Sequence, residues 1–491
     1  MVPVLLPGRS SESQPRPACF TGASDVSPYM RFFAALLSGL AYALMAVGIA
    51  LVFASGAMAA QPRDLVIEPY GDPRAIFCLI AFFLSYLLVM TEEQTHLRKS
   101  KPVMLGAGII WAVIGLAAPE YGVNHEQLRA AVFHDLGEYG SLLLFLLAAM
   151  VYISALERVN VFAALRSRLV GMGLSYRQLF WATGIIAFLL SPVADNMTTA
   201  LVMGAVVMAV GADKPRFVTV AMINIVCAVN AGGAFSPFGD ITTLMVWQAG
   251  RIEFVEFFAL FLPAVATFAV PAVAMSFTVP AERPPALEEH VSMRPGAKRG
   301  IFLGLLTIAM AVSFEQFLGL PPFMGMMTGL ALLMFLAHYL RTQREGDPEY
   351  DIFGAVRAVE WDTLLFFFGV IFSVGGLGFI GYLGLASEVM YGSWGATAAN
   401  VVVGIASAVI DNIPVMFSVL SMQPEMPHFQ WLLVTLTCGV GGSLLSVGSA
   451  AGVALMGTSQ GRYTFLSHLR WTPLIAVGYA AGIGTHFLVN G

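Results

Sequence analysis

Charged side chains make up only 11% of this 491-residue chain, against roughly 25% in soluble domains. Too little polar surface is left to face water, so a soluble fold of this size is excluded. Cysteine is scarce as well: Cys19, Cys78, Cys227 and Cys438 stand far apart, with no CxxC pair and no histidine at ligand spacing. A disulfide framework or structural zinc centre is not expected, and single buried thiols are. Basic residues do not outnumber acidic ones; 25 against 30 leave a formal charge of −5, which argues against a nucleic-acid surface. What is abundant is apolar sequence, 58% of residues, together with 49 glycines and 26 prolines. Several apolar runs reach the ~20 residues a helix needs to cross a bilayer, and Gly and Pro are frequent where membrane helices pack or break. The chain reads as an all-α polytopic membrane protein.

Residues 1–31, rich in Ser, Pro and Arg, read as a disordered extension, with Met30 a plausible alternative start. The apolar stretch 32–60 ends Ala57-Met-Ala59-Ala60 and fits a cleavable signal peptide or a first membrane helix equally. Helices are expected at 77–90 and 103–118. The loop between them carries Arg98, Lys99 and Lys101, which the positive-inside rule places on the cytoplasmic side. Residues 119–138 are polar and expected outside the core, with a membrane helix at 139–156. Arg158, Arg166, Arg168 and Arg177 punctuate 157–178, expected to be one amphipathic helix on the cytoplasmic face. The run 179–190 is only a dozen residues long before Ser191-Pro192, so a re-entrant hairpin is expected there. A polar connection at 281–300 separates a first transporter repeat, 75–280, from a second, 301–490.

The division matters because one stretch occurs twice. Ser191-Pro-Val-Ala-Asp195-Asn196-Met-Thr198-Thr199 returns as Ser407-Ala-Val-Ile-Asp411-Asn412-Ile-Pro414. Each copy is followed by a glycine-rich segment, Gly232-Gly233-Ala-Phe-Ser236-Pro237-Phe-Gly239-Asp240-Ile-Thr242-Thr243 and Gly441-Gly442-Ser443-Leu-Leu-Ser446-Val-Gly448-Ser449. Helices interrupted at corresponding positions of two halves point to a secondary transporter with its site near the membrane midplane. An aspartate at mid-bilayer is disfavoured by about 2.5–3.5 kcal/mol, so Asp195, Asp240 and Asp411 should face a cavity or a partner. Carboxylate, amide and hydroxyl oxygens suit a small hard cation. A carboxylate withdrawn from water can hold either a proton or Na⁺, and competition between the two gives antiport. The expected exchanging acids, with Na⁺ or Li⁺ as cargo and no cofactor, are Asp195, Asp240 and Asp411. Asn196, Thr198, Thr242, Asn412, Ser443 and Ser449 complete or frame the site. Secondary candidates are Thr199, Thr243, Ser191, Ser407, Ser446, Asp362 and Glu315. Asp362 could simply cap a helix, Glu315 could snorkel, and His96 and His486 read as structural.

At these motifs, and at Thr91-Glu-Glu, His96-Leu-Arg-Lys-Ser-Lys-Pro102 and Glu360-Trp-Asp-Thr-Leu-Leu-Phe-Phe368, the chain resembles the NhaD-type sodium/proton antiporters of the ion transporter superfamily. The resemblance spans residues 75–490. It implies exchange of cytoplasmic Na⁺ or Li⁺ for external H⁺ across a bacterial inner membrane, supporting sodium and pH homeostasis, chiefly at alkaline pH. It also implies two inverted repeats, each with a re-entrant hairpin and a discontinuous transmembrane helix, usually in a homodimer.

Three other readings compete. A sodium-coupled dicarboxylate symporter of the same superfamily would want a basic residue in the cavity, and neither hairpin motif nor glycine-rich break contains one. An intramembrane aspartyl protease would want a Tyr-Asp within a membrane helix, whereas Tyr350-Asp351 lies in a charged loop. A passive cation channel would use a similar ligand set.

Overall fold

The computed structural model describes residues 72–491 apart from 91, 96, 212, 285–289, 344–346 and 348–349. The extension 1–31, the stretch 32–60, Cys19 and His96 lie outside the described residues. All regular structure described is helical. Among the described residues, ten helices are long and apolar enough to cross a membrane, so the chain is a multi-pass membrane protein.

The first half contains α1 (Pro73–Met90), α2 (Ser100–Ala117), α3 (His125–Arg158), α4 (Val161–Gly171), α5 (Tyr176–Ala194), α6 (Asn196–Gly211), α7 (Pro215–Gly233), α8 (Ile241–Gln248) and α9 (Phe261–Ser276). The second half contains α10 (Ala297–Leu318), α11 (Pro322–Gln343), α12 (Trp361–Ile380), α13 (Tyr382–Ser387), α14 (Ala396–Ala406), α15 (Asn412–Met422), α16 (His428–Gly441), α17 (Ala450–Thr458) and α18 (Thr472–Asn490). Short helices at Glu92–Thr95, Ile352–Arg357 and Phe465–Leu469 accompany these, and several packings occur in both halves. α1 lies on α2 as α10 lies on α11; α5 and α6 pack on α7 as α14 and α15 pack on α16. The halves interlock reciprocally, with α17 against α6 and α8 against α15, while α7 meets α16 and α9 meets α18. α7 is buried almost throughout, which makes α7 and α16 the inner pair around which the others are layered.

Three expectations are corrected. The helix expected at 139–156 starts earlier: residues 125–138, most of them exposed, are the opening turns of α3, a 34-residue helix. Asn124 and Gln127 form a reciprocal capping box that starts it early, and a helix can run on past the apolar core. The segment 157–178 is not one amphipathic helix: α4 ends at Gly171, and a second capping box, Ser175 with Gln178, starts α5, to which Arg177 belongs. Nor does Ser191-Pro192 end the helix. α5 continues to Ala194 with Pro192 inside it, and its 19 residues are long enough to span, so the short-run argument does not apply to it. Cys78, Cys227 and Cys438 are free buried thiols, as read from sequence.

The start of α1 is tied to the end of α2 by Asp72, which accepts from the Tyr121 hydroxyl and from the Arg74 amide at 2.8 Å. The Tyr121 and Arg74 hydrogen bonds hold the Asp72 carboxyl at about 2, below its ordinary 3.8. A depressed carboxylate stabilises the fold above its ordinary value, and that contribution disappears as pH falls through the folded one. Asp72→Asn should therefore lower the melting temperature in detergent by about 1–3 °C at neutral pH. The difference from the parent should close between pH 4 and pH 2, as thermal unfolding at stepped pH would reveal.

Candidate cation-binding site

Both Asp-Asn pairs sit where helices break. α5 and α6 part at Asp195, whose backbone stands at φ 51° and ψ 156°, a combination that costs a residue with a side chain about 1–3 kcal/mol. Its carboxylate accepts the Thr198 amide at 2.9 Å, satisfying one of the donors left free where α6 begins. In the second half α14 ends, residues 407–410 turn, and Asp411 caps α15 through the Ile413 amide at 3.3 Å.

α7 and α16 bring the glycine pairs against these breaks. Pro192 has no N–H, so the Phe188 carbonyl one turn earlier loses its helical donor. Gly232 packs directly on that carbonyl. In the second half Gly441 packs on the Gly404 carbonyl. A Cβ at either glycine would fall 2.9 Å from the carbonyl carbon it faces. Ser191 and Ser407 reinforce the contacts, donating to the Val229 carbonyl at 2.8 Å and the Cys438 carbonyl at 3.0 Å. These two serines thus anchor backbone; Ser191 also lies against the Asn196 side-chain oxygen.

Past the glycines the chain runs unwound through 234–240 and 442–449 before α8 and α17 resume. Asp240 caps α8, accepting the Thr242 amide and hydroxyl, both at 2.9 Å, on Oδ1. Asn196 donates to Oδ2 at 2.6 Å, and Asn412 donates to the same oxygen at 3.2 Å. One carboxylate is therefore touched from both Asp-Asn breaks, 172 residues apart between Asp240 and Asn412. Ser449, in the equivalent place, caps α17 through the Gly452 amide at 3.3 Å. Asn230, in α7, links the second unwound segment to the first Asp-Asn break: it donates to the Ser443 hydroxyl at 2.9 Å and accepts from the Asn196 amide at 3.4 Å.

The structure thus brings together Asn196, Asp240, Thr242 and Asn412 directly, and Ser443 through Asn230. Thr243 is spent on the Ser236 and Asp240 carbonyls, each at 2.7 Å. The Thr199 hydroxyl is buried with no hydrogen-bond partner among the described residues, and the Ser446 hydroxyl is buried beside Tyr463. Asp362 does not cap its helix; it accepts from the Ser100 hydroxyl at 2.5 Å and pins the start of α2 to the start of α12. Glu315 accepts from the neighbouring Gln316 near the end of α10. His486 is buried, facing the Phe429 carbonyl at 3.1 Å.

Three participants were not singled out from sequence. Asn230 could have been, as an amide in an apolar helix two residues before a glycine pair. His468 is buried, and its Nε2 faces the Ser443 carbonyl at 2.9 Å while Nδ1 faces the Tyr463 hydroxyl at 2.7 Å. A carbonyl only accepts, so Nε2 carries a proton; burial pushes the ring's pKa down to about 4, leaving it neutral at pH 7, and it holds the second unwound segment in place. Lys99 was read as part of a loop charge cluster, yet its ammonium lies 3.5 Å from the Asp411 carboxylate. Nothing in the sequence pairs it with Asp411.

Broken apolar helices whose carboxylates, amides and hydroxyls converge in the interior define a membrane transporter with a polar site between two halves. The citrate transporter family profile matches residues 75–439. The Na(+)/H(+) antiporter NhaD of Vibrio cholerae is 51% identical over 462 residues, covering 89% of this chain and 97% of its own. NhaD of Alkalimonas amylolytica is 50% identical over 88% of this chain and 94% of its own, and NhaD of Vibrio parahaemolyticus 54% identical over 78% and 98%. Among solved structures, the YdaH transporter of Alcanivorax borkumensis aligns with 80% of this chain and 99% of its own at 13% identity and a TM-score of 0.46. The chain belongs to the NhaD family of Na⁺/H⁺ antiporters, which are secondary transporters and not enzymes.

Proposed function

We propose that Na⁺/H⁺ antiport, the activity of its family, is carried out here by Asp195, Asp240 and Asp411, with Asp240 as the central ligand. The observation that carries this reading is the shared hold of Asn196 and Asn412 on one carboxylate. Each asparagine presents its NH₂ to this carboxylate. Half a turn of either amide would present its oxygen instead, converting a shell that satisfies a bare anion into one that coordinates a cation. Either cargo neutralises the acid, Na⁺ by coordination and H⁺ by protonation, so one site opened alternately to each side suffices. Three carboxylates against one ammonium favour a cation over a dicarboxylate.

The topology included in this proposal is a pair of inverted repeats. α14 and α15 have 11 residues each, about 16 Å of helix against a ~30 Å apolar core. They enter and leave on one side as a re-entrant hairpin, and by repeat α5–α6 does the same. Each half then crosses with its first three long helices, its interrupted helix and its last helix. An odd number of crossings inverts the second half. Li⁺ as an alternative cargo, a bacterial inner-membrane location and a homodimer complete the reading; crosslinking in native membranes tests the last.

The direct test uses everted vesicles acidified by respiration, with a fluorescent reporter of the proton gradient. NaCl or LiCl at alkaline pH should collapse the gradient, and KCl or a dicarboxylate should not. Sodium-dependent dicarboxylate uptake without a cation response would overturn the proposal. Because proton and Na⁺ share ligands, the half-maximal Na⁺ concentration should rise as pH falls, by at most about tenfold per unit for one competing proton. A half-maximal concentration independent of pH, with only the maximal rate changing, would exclude shared ligands.

A further inference from the structure

Asp195 and Asp411 are equivalent in the repeat, but their surroundings differ. Asp195 forms no ion pair among the described residues, whereas Asp411 faces Lys99 at 3.5 Å. The Lys99 ammonium also lies 4.6 Å from the centre of the Phe366 ring, a fully buried side chain on α12. Its backbone is fixed by the next residue, Ser100, bonded to Asp362 at the start of the same helix. Lysine 99 and Asp411 retain 19% and 22% of their side-chain exposure, so water and small ions reach the pair. Beyond it, Asn412 leads straight to Asp240.

We propose that Lys99 is a tethered counter-cation for Asp411, occupying the second hairpin acid while the site holds no ion and leaving it when Na⁺ binds. The proposal rests on the cation-site reading above. An ammonium and Na⁺ carry the same charge and seek the same carboxylate, so the two exclude each other there. The exchange keeps Asp411 compensated while the transporter returns without Na⁺, its proton carried on another acid of the site, and it weakens Na⁺ binding to a level from which the ion can leave. Lys99 is thus a positioning and competing group, not a ligand of the transported ion, and it gives the two otherwise repeated halves different affinities.

The test is ²²Na⁺ binding to purified full-length protein at fixed alkaline pH. Lys99→Gln removes the competitor and should tighten Na⁺ binding about three- to tenfold, the range expected for a partly exposed pair. Maximal antiport should fall, because Na⁺ leaves more slowly. Lys99→Arg keeps the charge and should bind within about twofold of the parent. In an Asp411→Asn background the Lys99→Gln effect should vanish. Native protein supplies a check that needs no variant: an acetylating reagent should modify Lys99 faster in NaCl than in choline chloride, as read by mass spectrometry. Unchanged or weaker Na⁺ binding in inserted Lys99→Gln protein, persistence of its effect without Asp411, or Na⁺-independent acetylation would each overturn the proposal. Failure of the parent to bind Na⁺ at all would instead remove the site reading beneath it.

Discussion

Asp240→Asn is expected to abolish Na⁺-driven proton exchange while leaving membrane insertion intact. The substitution keeps the size of the side chain and can still cap α8 with its oxygen, so the local backbone survives. What it removes is the charge held between Asn196 and Asn412. A carboxylate about 4 Å from a cation contributes about 4 kcal/mol at an effective dielectric of ~20. At 1.4 kcal/mol per factor of ten, Na⁺ affinity should fall by about two to three powers of ten. An asparagine also cannot carry the returning proton, so even saturating Na⁺ should not restore turnover. Dequenching in everted vesicles measures the loss, and ²²Na⁺ binding separates affinity from turnover. Full activity in this variant would remove Asp240 from the site.

Gly232→Ala and Gly441→Ala should be as damaging through packing alone. In each case the added methyl meets the carbonyl group of a neighbouring helix, Phe188 or Gly404, and a carbonyl cannot rotate away as a side-chain tip can. Overfilling a packed interior costs about 1–3 kcal/mol where neighbours can adjust. Here the hairpin would have to lift from its partner helix, taking Asn196 or Asn412 off Asp240. The expected result is a lowered detergent melting temperature together with loss of transport. Gly108→Ala on α2 is the matched control. Its methyl would meet nothing within 4 Å, and alanine is the better helix former by about 1 kcal/mol, so stability should hold or rise. Equal behaviour of all three variants would contradict the close approach.

Much of the site was legible because membranes make polar residues conspicuous. An aspartate is costly in hydrocarbon, so Asp195, Asp240 and Asp411 stood out against apolar surroundings, and their duplicated context tied them together. The helix breaks at 234–240 and 442–449 were visible because the glycine pairs recur in register. Less legible were the ends of elements whose signals are local hydrogen bonds. The capping boxes at Asn124 and Ser175 start α3 and α5 where the apolar pattern alone gave no boundary. Pro192 reads as a helix end, yet the carbonyl it leaves unbonded is covered by Gly232, and the helix continues two residues to Ala194.

By itself the sequence determined the membrane environment, the family and the presence of a duplicated motif with acids in apolar surroundings, because composition and repetition are properties of the chain read in order. Tertiary structure alone decided that Asp240, from the first half, is the carboxylate both hairpin asparagines reach. It also decided that Ser191, Ser407 and Thr243 serve the backbone, that Asn230 and His468 support the second unwound segment, and that Lys99 faces Asp411. Those outcomes depend on which elements cross at the interior and on directions of single side chains, and residues hundreds of positions apart share no local pattern that could encode them.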